Sequence, residues 1–172
     1  MLDSLALRYS PVEDRLELRV RSKEPAQEYR FALTRRVTLR LAQQLAKAVE
    51  LSAETPAHVD PAARRSISLA HHEAVASRAS IQRGPAGGEA PVATGEAPVL
   101  VSRIDCGRSK DGRLWLLRIS GPDRAAVALT LTPETLHGLV ELLRRRLAEA
   151  QWGIELLPAA APAAGKSTRV VH

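Results

Sequence analysis

Apolar and polar residues alternate in three short runs near the start of this chain. Leu5-Ala6-Leu7-Arg8-Tyr9, Arg15 to Arg21 and Tyr29 to Leu33 each carry apolar side chains at every second position, the mark of a half-buried strand. In the second run Leu16, Leu18 and Val20 share one face while Arg15, Glu17, Arg19 and Arg21 share the other. From Val37 to Leu51 the period becomes helical. Thr34 stands in the capping place, and Val37, Leu41, Leu45, Ala48 and Val49 form the side to be buried.

The same order returns near the other end. Val99 to Ile104, Leu114 to Ile119 and Val127 to Leu131 read as strands, separated by the turn residues Lys110-Asp111-Gly112 and Gly121-Pro122-Asp123. A helix from Pro133 to Gln151 follows. Thr132 caps it, Pro133 occupies the first helical position, Leu136, Leu139, Val140, Leu143 and Leu147 make its apolar stripe, and Gly153 is the expected stop. Leu-Thr stands at both strand-to-helix junctions, Leu33-Thr34 and Leu131-Thr132. The pattern predicts an α+β fold of duplicated βββα units, forming an antiparallel sheet with helices packed on one face.

Five segments follow: a first half over 1–51, a connection over 52–83, a linker over 84–98, a second half over 99–157 and a tail over 158–172. In the connection Asp60-Pro61 repeats the cap-plus-proline signal, and Ala62 to Ser80 predicts a third helix with Ile67, Ala70, Ala74 and Val75 along one side. Glycine and proline crowd residues 84–98, so a flexible linker is expected there, and the Ala/Pro-rich tail is expected to be disordered.

At 172 residues with net charge +6, the chain has material for one shared core and a basic balance that invites an anionic partner. The charge is spread: +3 over 1–51, −1 over 52–98, +2 over 99–157 and +2 over 158–172. Arginine far outnumbers lysine and alanine is abundant, a bacterial-type composition of the kind a GC-rich genome gives without selection for binding. The absence of a membrane-length apolar run or a signal-like start gives the expectation of a cytoplasmic protein without membrane association, and a single cysteine, Cys106, fits a reducing compartment.

Candidate chemistry is sparse. Gly165-Lys166-Ser167 lacks the glycine, strand and helix of a phosphate-binding loop. His71 and His72 point about 100° apart on a helix and have no second cluster to share a metal, while His58 and His137 have no local acid/base partner. All are expected to be surface or partly buried histidines. Cys106, between Asp105 and Gly107-Arg108, is expected to be a passive thiol. No nucleophile, base and oxyanion site can be assembled, so neither enzyme activity nor a cofactor, metal or small-molecule ligand is expected.

Two interaction signals remain. Arg36, Arg40 and Lys47 fall within about 40° of one another on a helical wheel, a one-sided basic ridge. With Arg15, Arg19, Arg21 and Arg30 on the strands they make the surface of a nucleic-acid-binding alternative, although aromatics are few and Tyr29 and Phe31 are expected in the core. If the last helix extends to Trp152, the wheel carries that side chain about 160° from the buried stripe. An outward tryptophan marks a protein interface; a helix ending near Ala150 would instead fold it back onto the core. The leading expectation is a non-enzymatic interaction or adaptor protein, with a protein partner or self-association.

Overall fold

The computed structural model describes residues 2–79, 91–95, 97–122 and 124–157. Over these residues it is an α+β fold of seven strands in two sheets with three helices. In chain order these are β1 (Leu2–Ser10), β2 (Arg15–Ser22), β3 (Gln27–Leu33), α1 (Arg35–Ser52), α2 (Pro61–Ala76), β4 (Val99–Leu100), β5 (Arg103–Arg108), β6 (Trp115–Ser120), β7 (Val127–Leu131) and α3 (Pro133–Ala150).

The single antiparallel sheet expected from the sequence is replaced by two. One has the order β1-β2-β3-β4 and the other β5-β6-β7. The predicted strand at Val99 to Ile104 is divided between them: Val99 and Leu100 run parallel to Phe31 and Ala32, and Arg103 begins the antiparallel ladder with β6. Gly121 permits this crossing, since a Cβ there would lie 2.5 Å from Val99 Cγ1 and 3.0 Å from the Leu100 carbonyl oxygen.

Within each sheet the pleat sets the faces. Leu7, Leu18 and Phe31 lie abreast in the first, Cys106, Leu117 and Leu129 in the second, all on the inner side. They join one apolar core with Leu41 and Leu45 of α1 and Leu136, Leu139 and Leu143 of α3. Both long helices start as expected: the hydroxyls of Thr34 and Thr132 accept from the amides of Val37 and Thr135 with nearly equal cap dihedrals, ψ 159° and 164°.

Each long helix crosses to the other sheet. α1 lies chiefly along β5, and α3 lies along β1. There they seal strand edges that would otherwise be open to another chain. The Gln44 side chain acts as a missing peptide group: its Nε2–H donates to the Ile104 carbonyl at 3.0 Å and its Oε1 accepts from the Cys106 amide. On the other side Arg146 Nε donates to the Leu7 carbonyl at 2.9 Å.

Residues 80–90 of the expected connection and linker, and the tail over 158–172, lie outside the described residues. The end of the linker is strung along β3: the Glu28 amide donates to the Pro91 carbonyl, the Ala93 amide to the Glu28 carbonyl, and the Arg30 amide to Thr94 Oγ1.

Three local expectations are corrected. α3 ends at Ala150, with Gln151 as a left-handed cap at φ 53°, two residues before Gly153. Trp152 is therefore released from the helical phase and is buried, 4% exposed, rather than pointing outward. α2 presents Ser68 and His72 inward, leaving Ile67 44% exposed, because its buried side meets polar groups of the neighbouring helices instead of an apolar face.

Candidate functional site

The outer face of the first sheet carries a row of arginines. Strand alternation that buries Leu16, Leu18 and Val20 sends Arg15, Glu17, Arg19 and Arg21 outward, and register sets Arg19 beside Arg30 and Arg21 beside Glu28. Arg8 of β1 lies across from Glu17. It belongs to the same surface and was missed by the sequence reading, although its outward phase in Leu5-Ala6-Leu7-Arg8-Tyr9 was visible there.

Carboxylates hold these guanidinium groups in place. Glu28, 4% exposed, accepts from Arg21 Nε at 2.8 Å and from Arg30 Nε at 2.7 Å. Burial acts to raise the Glu28 carboxyl, but the bonds from Arg30 and Arg21 outweigh it and hold it below its ordinary value. Arg19 Nε donates to Glu17 at 2.8 Å, which raises the arginine further. The five arginines outnumber the two glutamates, so the face keeps a net positive charge, and Arg19, Arg21 and Arg30 are held by carboxylates.

The basic positions inferred from sequence do not form one surface. Arg15, Arg19, Arg21 and Arg30 are together on the outer sheet face. Arg36, Arg40 and Lys47 are on the exposed side of α1, which packs through Leu41 and Leu45 on the inner side of β2 and β3, so a layer of core separates the two sets. Tyr29 and Phe31, with rings 6.4 Å apart, are on the inner face as well.

A second polar arrangement joins the three helices. Ser52 Oγ–H donates to the Val49 carbonyl at 2.7 Å, leaving its oxygen to accept from His137 Nε2–H at 3.1 Å. His137 then has its lone pair on Nδ1, 2.8 Å from His72 Nδ1, so His72 carries the shared proton. The expectation of surface or partly buried histidines without partners is corrected for this pair: His72 and His137 are buried and bonded to each other. Burial pushes His137 down to about 4, with the neighbouring His72 and His71 adding to the effect, and lowers His72 too. No local pattern signals the pair, whose members stand 65 residues apart. His72 also lines a groove of about 970 Å³ between α2, α3 and residues 151–157.

Cys106 is half-buried and burial raises its thiol to about 11. Among the described residues no group of three or more His, Cys, Asp or Glu side chains is placed to hold a metal ion, and no helix is long and apolar enough to cross a membrane. Comparison with protein families, curated proteins and solved structures finds no match for this chain.

Proposed function

We propose that this chain is a non-enzymatic interaction or adaptor protein that presents the outer face of its first sheet to an acidic surface on a protein partner. One observation carries the reading: a buried carboxylate, Glu28, orients Arg21 and Arg30 on a sheet face whose remaining outward charges are mainly arginine. Preordered guanidinium groups lose less freedom on meeting carboxylates than loose lysines would.

A nucleic-acid backbone is the second reading, favoured by the excess of arginine on that face. Against base stacking, Phe31 is buried and Tyr29 shares its inward side.

The test is purification of the tagged full chain from its native cell, with and without nuclease, beside an Arg8→Glu/Arg19→Glu variant. A protein retained through nuclease treatment and lost in the variant, with an unchanged melting temperature, supports the reading. Nucleic acid lost on nuclease treatment and on adding salt supports the second. Association that charge reversal leaves untouched overturns the assignment of the face.

We further infer that the two strand-strand-strand-helix blocks are copies of one unit. Matching threonine caps and the reciprocal sealing of β5 by α1 and β1 by α3 support this. Superposition of residues 5–51 on 99–152 in an experimental structure checks it; a best fit that pairs β1 with β6 overturns it.

A further inference from the structure

Helix α2 is attached unlike its neighbours. α1 buries seven residues and α3 eight, most of them apolar, whereas α2 buries only Ser68 and His72. Leu69 and Val75 are half-buried and Ile67 points outward. Ser68 Oγ is buried without a hydrogen-bond partner, as are Thr55 Oγ1 and Arg64 Nε beside the start of the helix. Unmet polar groups of this kind lower the stability of the docked arrangement. The specific buried bond that remains is the one from His72 to His137.

We propose that α2 is a detachable latch, held against α1 and α3 by the Nδ1-to-Nδ1 hydrogen bond of His72 and His137 and released when acid loads the pair with protons. With both rings neutral, one proton sits between the two Nδ1 atoms and His137 Nε2–H is satisfied by Ser52. A first added proton must enter on His72 Nε2, the ring nitrogen outside the shared bond, and places a cation in a buried site. A second must go to His137 Nδ1, where it meets the His72 N–H head on. Undocked, both rings accept protons freely, so falling pH favours release.

The surrounding charges do not cancel this. His71, its ring 5.3 Å from that of His137, disfavours a cation there through like charge. Glu73 on α2 and Glu134 and Glu141 on α3 favour the cations, and Arg144 opposes them. Glu141 already holds both Arg144 and Arg145, while α1 contributes only the uncharged Ser52 to the chain of bonds.

The test is hydrogen exchange of the full chain, read segment by segment and normalised to intrinsic amide rates, from pH 7 to pH 4.5. Protection of α2 is expected to fall about tenfold or more over that range while α1 and α3 keep theirs, a tenfold loss corresponding to one unit of proton linkage. His72→Ala is expected to lose α2 protection already at pH 7. His72→Asn, whose amide can turn to offer either a donor or an acceptor, is expected to flatten the pH dependence. Protection of α2 that follows α1 and α3 at every pH in the wild type overturns the latch whatever the variants do. So does undiminished α2 protection in His72→Ala, or an acid-dependent loss in His72→Asn equal to that of the wild type.

Discussion

Trp152 Nε1–H donates to Asp14 Oδ1 at 2.7 Å, and the Tyr9 hydroxyl donates to the same oxygen at 2.8 Å. The Tyr9 and Trp152 rings meet edge to face at 5.8 Å, and Arg35 Nη2 donates to the Trp152 carbonyl at 2.6 Å. One residue beyond α3 thus fastens the β1–β2 turn and the start of α1. Asp14 can serve because it sits in the left-handed region at φ 49°, which a short polar side chain tolerates. The bonds from Trp152 and then Tyr9 hold its carboxyl below the ordinary range.

Trp152→Ala is accordingly expected to destabilise the monomer by about 3–5 kcal/mol, a drop in melting temperature of roughly 10 °C. Trp152→Phe keeps the ring and loses the donor, so about 1 kcal/mol is expected. Thermal unfolding and sedimentation on the same samples decide the matter. An unchanged melting temperature with lost association would return Trp152 to an interface role.

Gln44 offers a sharper test because its two bonds go to backbone groups of one exposed strand edge. Gln44→Leu leaves the Ile104 carbonyl and Cys106 amide without their partner, and a loss of about 1–3 kcal/mol in urea unfolding is expected. Gln44→Glu faces the Ile104 carbonyl with a second acceptor and should cost at least as much. Opening the edge should also promote concentration-dependent association. Stability equal to wild type in both variants would show that the edge is sealed by other means.

Much of the fold was legible because local patterns are strong where the core is apolar. The alternation at Leu16-Leu18-Val20, the stripes Val37-Leu41-Leu45 and Leu136-Leu139-Leu143, and the caps at Thr34 and Thr132 all came from spacing alone. The division of the strands into two sheets was not, since the bend between Leu100 and Arg103 depends on the close approach of Gly121 to Val99. Of the two readings of Trp152, the one that ends the helix near Ala150 holds, and spacing could not choose between them because two residues at a helix end reverse a side chain's direction. The inward turn of α2 escaped notice for a different reason. Its buried side is polar, and a period search for apolar residues chooses Ile67 over His72.

The thiol of Cys106 gives a chemical check on the inner face of β5. Its rise to about 11 leaves roughly a hundredfold less thiolate at pH 8 than an ordinary cysteine has. Reaction with a thiol-exchange reagent should therefore be slower by about that factor in the folded protein, and should become normal in urea. Equal rates in both states would mean that the β5 face is open to solvent.

Acid should weaken the fold in two separable steps. His137 is held at about 4 against an ordinary 6.5, so between those values the unfolded chain binds the proton that the folded one refuses. Its contribution is complete above pH 6.5 and declines as pH falls toward 4, by at most about 3 kcal/mol for a displacement of this size and by less once α2 has undocked and freed the ring. Glu141 follows in a lower window. The bond from Arg144 leads in bringing it to about 2, burial opposes and Arg145 adds, so its contribution is present above pH 4.5 and is lost as pH falls through 2. Urea unfolding at intervals from pH 7.5 to 3 should show the upper decline in the wild type. It should be shallower in His137→Gln, whose amide still donates to Ser52 but does not titrate, and Arg144→Ala should act chiefly on the lower one, with a smaller easing of the upper because Arg144 also opposes a cation on His72. A wild-type stability that is flat from pH 7 to 5 would show that the His137 ring is not held neutral, and with it that the shared proton between His72 and His137 is misplaced.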